Sequence, residues 1–91
     1  MILGPGDAAE QVRVTMRNIE LILLEMGGSL SELAKAVIYV RTDNAANMGN
    51  AWEAYVEVMG DWQPATTLVG VTELGGGPAP LVEIEVTAVL R

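Results

Sequence analysis

Between Ala34 and Leu74 the spacing of apolar residues changes twice, and that change leaves the chain very few folds. Ala34–Arg41 (AKAVIYVR) is dense in β-branched and aromatic residues, the composition of a strand. Ala45, Met48, Trp52, Tyr55 and Met59 then recur at steps of three and four, the period of a helix that packs by one face. Thr66–Leu74 (TTLVGVTEL) returns to strand composition, with Gly70 marking a close backbone approach or a bend. Two strands of one sheet joined through a helix lie parallel, with a right-handed crossover. A βαβ unit therefore fills the middle of the chain.

The flanks supply one element on each side. Asp7 and Glu10 have the spacing of a helix cap, and Ala9, Val12, Met16, Ile19, Leu23 and Met26 form the apolar stripe of a helix that stops at Gly27-Gly28. From Ile19 to Met26 that helix is apolar nearly all round, which predicts cover on more than one side. Ser29 and Glu32 repeat the capping spacing over a single turn, and Thr42-Asp43 offers the cap of the second helix, over 44–59. Gly60 stops that helix, and Trp62-Gln63-Pro64 is a rigid lead into the next strand. Gly75–Pro80 (GGGPAP) interrupts regular structure. Leu81–Leu90 alternates strictly, with Val82, Ile84, Val86, Ala88 and Leu90 on one face and Glu83, Glu85 and Thr87 on the other. The expected fold is α+β in the order α–β–α–β–β, a mixed sheet with both helices on one face. Residues 1–6 read as a tail on a single domain spanning 1–91.

Nothing in this order covers the second face of the sheet. Of the 91 residues, 51% are apolar, rich for a small domain, and that surplus points to a partner subunit. The longest apolar stretches fall far short of the ~20 residues of a membrane span, and no signal peptide opens the chain. A cytoplasmic protein with no membrane partner is expected.

The residues that are absent exclude much chemistry. With no cysteine there is no thiolate nucleophile, disulfide or zinc–thiolate site. With no histidine there is no Ser-His-Asp triad and no imidazole ligand. A carboxylate-only Mg²⁺ or Ca²⁺ site stays open, although no acidic cluster has the spacing of a calcium loop. Five basic residues against twelve acidic ones give a net charge of −7, which argues against a nucleic-acid partner. Any catalysis rests on carboxylates, hydroxyls, backbone groups and water.

The order and spacing of several short motifs resemble the Rid (YjgF-like) family, which has a chorismate-mutase-like fold. They are Gln11…Asn18-Ile19, Gly27-Gly28 with Ser29-Leu30, the AVIYVR strand, Trp52-Glu53-Ala54-Tyr55, Pro64-Ala65-x-Thr67 and Val82-Glu83-Ile84-Glu85. The resemblance covers Asp7 to Arg91. It implies a homotrimer whose sheets form a central barrel, with small-molecule sites in the clefts between subunits. It also places the last strand antiparallel beside 34–41, where local order alone suggests a hairpin with 66–74.

The implied activity is hydrolysis of small reactive imines or enamines, without a cofactor. By resemblance Glu83 is the catalytic acid that orders water or protonates the departing nitrogen, and the backbone of Leu68 helps hold the reacting group. Thr66 stands where the family carries a carboxylate-gripping arginine, so activity on 2-imino acids is expected to be weak or absent. Thr66 and Thr67 are the remaining substrate contacts on that strand, and Trp62 is a candidate pocket wall. The β-hairpin that opens family members has no counterpart ahead of the first helix. The helix asparagine of the family falls on Gly49, with Asn50 beside it.

Plainer readings compete at each position. Glu83 also suits the solvated face of an alternating strand, and Thr66 and Thr67 are good strand residues in their own right. Trp52, Tyr55 and the methionines have the spacing of core residues, and Lys35 that of a solvated strand start. Arg41 can replace the missing arginine only if assembly brings it to the cleft. A non-catalytic trimer that binds small metabolites or partner proteins, a regulatory module, is the alternative function. The ribonuclease activity sometimes attached to the family is disfavoured by the charge and by the lack of histidine.

Overall fold

In the computed structural model, which describes residues 6–90, the elements follow the expected order. Apart from Gly6, the expected tail lies outside the described residues. Helix α1 (Ala8–Glu25) begins where the Asp7 carboxylate accepts a hydrogen bond from the Glu10 N–H at 3.0 Å. It ends as the sequence predicts. Gly27 takes φ 82°, and the Gly28 N–H reaches back to the Leu23 carbonyl at 2.7 Å. A single 3₁₀ turn, Leu30–Glu32, leads into strand β1 (Leu33–Arg41).

Helix α2 (Ala46–Met59) starts later than Thr42-Asp43 suggested. The Asn44 side chain accepts from the Ala46 N–H at 3.0 Å, whereas Asp43 is drawn to Arg41. The buried stripe of α2 also differs, running through Asn47, Ala51, Ala54, Tyr55 and Met59. Trp52 is left at the stripe's edge, partly exposed, with its ring 5.7 Å from that of Tyr55. Alanine at 51 and 54 lets the buried side approach its neighbours closely, which the indole could not.

Strand β2 (Ala65–Val71) pairs parallel to β1, and β3 (Val82–Ala88) pairs antiparallel to it, giving the order β2-β1-β3. The alternative hairpin between the last two strands is not formed. Both strands are shorter than their apolar patterns. Residues 72–74 leave the sheet, and Thr42 closes β2 by donating its backbone N–H to Val71 at 3.0 Å. At Gly70 a Cβ would lie 2.7 Å from Cγ2 of Thr42, so the glycine marks the close approach its position suggested.

The β1–β3 register shifts between Leu33 and Lys35, leaving Ala34 as an extra residue. That bulge explains why Leu33 and Ala36, three apart, are both buried when strict alternation would separate them. Leu33, Ala36, Ile38 and Val40 meet Val12 and Met16 of α1 and Ala51 and Tyr55 of α2 in one core. The other face of the sheet is bare. So is much of the later half of α1, where Leu21, Ile22, Leu24 and Met26 are all exposed in the single chain. The cover predicted on more than one side is not supplied by this chain's described residues. No helix among them is long and apolar enough to cross a membrane.

Candidate functional site

The register decides which side chains share a face, because paired residues in a sheet project to the same side. Tyr39 lies opposite Glu83 on β3 and opposite Val69 on β2, making one row across the bare face. Val37 lies opposite Glu85 and Thr67, making the next row. Glu83 is exposed, with its Cβ about 4.5–5.5 Å from that of Tyr39. A carboxylate beside a phenol on an otherwise apolar row can hold a water and exchange a proton with it.

The other residues picked out from the sequence are not gathered around Glu83. Thr66 pairs with Ala36, a core residue, and so faces the helices. Its hydroxyl donates to the Pro64 carbonyl at 2.9 Å, which leaves the Tyr55 hydroxyl, 3.1 Å away, to donate to it. Leu68 pairs with Ile38 and packs against the core, so only its backbone is open to a ligand role. Thr67 alone of the three shares the face of Glu83, two strand spacings across and one row along, about 12 Å away. Alternation along β2 makes this outcome unavoidable.

Trp62 lies at the far end of the sheet. Its indole N–H donates to the Leu33 carbonyl at 3.1 Å, six residues along β1 from Tyr39 and so roughly 20 Å from the Glu83 row. It walls an open groove of about 710 Å³ with Ser31, Ala34, Gln63, Pro64 and Ala65. The chain thus presents two separated part-sites, an indole-walled groove and a carboxylate on an open face.

Two residues that the sequence named without placing them find their partners in the structure. Gln11, 5% exposed, donates through Nε2 to the Ala79 carbonyl at 3.1 Å and accepts the Leu81 N–H at 2.7 Å. It clasps the backbone two residues before Glu83. Its signal was an amide standing next to Val12 on the apolar stripe of a helix.

The second is Arg41, which shares the open face and lies one step diagonally from Glu83. Its side chain is only 14% exposed, with Nη2 on Asp43 Oδ2 at 3.0 Å and Nη1 at 3.5 Å from the Gly77 carbonyl. Its Nε is buried with no acceptor, a state that costs about 1–3 kcal/mol. Asn50, by contrast, is exposed on α2, and Gly49 has open space around it. Among the described residues no group of three or more acids is arranged to hold a metal.

An α+β fold with a three-stranded mixed sheet, two helices on one face and a bare face carrying a Glu-x-Glu strand defines the class. Residues 1–90 match the model of the endoribonuclease L-PSP family, and the chain belongs to that family, the one the motifs resembled as Rid or YjgF. RutC family proteins of Pyrococcus abyssi and Pyrococcus horikoshii are 36% and 35% identical, over 76% and 91% of this chain. The chain spans only 53% and 63% of their lengths. Among solved structures, a YjgF/YER057c/UK114 family member from Mycobacterium tuberculosis is 33% identical with a TM-score of 0.81. That match covers 92% of this chain and 69% of the other. The Rid family protein YyfA from Yersinia pestis gives 29% and 0.80, covering 92% and 64%.

Proposed function

We propose that the chain assembles as a homotrimer through the bare face of its sheet and hydrolyses small reactive imines or enamines in the cytoplasm. The observation that carries this reading is Glu83, exposed beside Tyr39 on a sheet face that neither helix covers. Glu83 and the Trp62 groove lie roughly 20 Å apart in one chain, so a closed site calls for a second copy. An iminium carbon is already electrophilic and needs only a placed water and a proton carrier. The Glu83 carboxylate takes a proton as water adds to the carbon. It returns that proton to nitrogen and takes up the hydroxyl proton as the C–N bond breaks. Passing this second proton to the departing ammonia leaves a carbonyl compound and ammonium. No cofactor enters this balance.

Substrates with a 2-carboxylate fare poorly in this reading. Thr66 offers no cation, and its hydroxyl is engaged by Tyr55 and Pro64 on the helix side. A lost bidentate carboxylate contact costs on the order of 2–5 kcal/mol, or roughly 30- to 5,000-fold in rate. The test generates 2-iminopropanoate and an uncharged imine enzymatically in place and follows the decay of each. The uncharged imine is expected to decay faster with protein and not with Glu83→Gln, while 2-iminopropanoate is barely affected. Robust acceleration of 2-iminopropanoate refutes the substrate preference. The same engaged Thr66 hydroxyl favours a second reading, a trimer that binds small metabolites without turnover, and failure to accelerate either imine selects it.

A further inference from the structure

We infer that Arg41 and the turn beside it form a binding site for a small monocarboxylate, at the opposite end of the sheet from the Thr66 position. Of the five Lys and Arg residues, Arg13 and Arg17 lie on the exposed side of α1, and Lys35 is exposed at the start of β1. Arg91 lies outside the described residues. Among the described residues Arg41 alone of these is held within the fold, and it borders a cavity of about 390 Å³ lined by Glu73, Leu74, Gly77 and Pro78.

The guanidinium is only partly spent. It is a planar fork of five N–H donors. Asp43 engages Nη2 at 3.0 Å, and the Gly77 carbonyl, 3.5 Å from Nη1, is at the limit of a hydrogen bond. Nε has no acceptor although it is buried. A carboxylate is the planar acceptor that such a fork matches two bonds at a time. Gly77, at φ 86° in a run of three glycines, can draw its carbonyl back to admit one. Charge and size narrow the class. Asp43 already contributes one negative charge, Glu73 stands in the cavity wall, and the chain carries −7, so a dianion such as phosphate is repelled where a small singly charged acid is tolerated.

The site does not restore the missing grip on 2-imino acids. Within one chain Arg41 pairs with Val71, three residues and about 10 Å along β2 from Leu68. The inference holds whether the trimer is a catalyst or a binding module.

The experiment is an NMR titration of the full chain, reading the arginine Nε–H resonances, with sodium propanoate against propanamide at matched ionic strength. Propanoate is expected to shift one Nε–H saturably, and that resonance is absent in Arg41→Lys. The amide shifts nothing. Arg41→Lys, which keeps the charge but loses the fork, binds about tenfold more weakly, measured by calorimetry. Asp43→Asn frees a second donor and tightens binding about threefold, a gain that misfolding cannot produce. No saturable shift, an unchanged affinity in Arg41→Lys, or weaker binding in Asp43→Asn each overturns the inference. Hydrolysis of an uncharged imine without propanoate binding removes this site and leaves the proposed activity standing.

Discussion

Replacing Gln11 with methionine keeps the length and bulk of the side chain and removes both of its backbone hydrogen bonds. The Leu81 N–H and the Ala79 carbonyl then lose their partner on α1, where Leu81 is half-buried and Ala79 exposed. Leaving a buried donor or acceptor unmade costs about 1–3 kcal/mol. Because 79–81 retain access to water, the lower end of that range, about 1–1.5 kcal/mol, applies to each group, and about 2–3 kcal/mol to the pair. A domain of this size has a total stability of roughly 5–10 kcal/mol, so the loss is a substantial share. With a urea slope near 1 kcal/mol/M, the unfolding midpoint falls by about 2–3 M at unchanged slope. Circular dichroism at one fixed protein concentration reads this, since any assembly makes stability depend on concentration. A midpoint shift below about 0.5 M refutes the clasp as a structural element.

Three further expectations follow from particular contacts. Thr66→Val strands the Tyr55 hydroxyl and lowers stability by about 1–2 kcal/mol, while hydrolysis of an uncharged imine is unchanged; a loss of activity larger than the loss of folded protein refutes the helix-side placement. Gly70→Ala drives a methyl into Thr42 and costs about 1–3 kcal/mol by urea titration, and a neutral result counts against that close approach. Val69→Lys puts a charge beside Tyr39 on the bare face, and light scattering is expected to show a monomer in place of a trimer; an assembly mass equal to wild type excludes this face as the interface.

The architecture was legible because period is a property of local sequence. The helical stripe from Ala9 to Met26, the βαβ order and the alternation after Leu81 each follow from which side of an element meets the core. Strand order was not legible in the same way. Only the resemblance placed β3 beside β1, since the GGGPAP segment allows a hairpin as readily as a return past β1. Which face of the sheet each candidate site residue takes was not legible either, for a physical reason. Motif letters such as Pro64-Ala65-x-Thr67 carry no sheet register, and one residue of offset sends Thr66 to the helices and Thr67 to the open side. The bulge at Ala34 and the clasp of Gln11 depend on residues far apart in sequence, which no local pattern encodes.

The position of β1 at the centre of the sheet also orders events in time. Its pairs with β2 join residues about 30 apart in sequence, whereas its pairs with β3 join residues roughly 40 to 55 apart. Closing the longer loop costs more chain entropy before any contact offsets it. The parallel pair with α2 is therefore the unit that can consolidate early, and β3 arrives late. Glu83 rides on that late strand. A nascent or partly melted chain accordingly shows its central strand as a raw edge at the very stage when its acid is not yet in place. The docking that completes the sheet covers that raw edge and in the same step brings Glu83 into its row beside Tyr39.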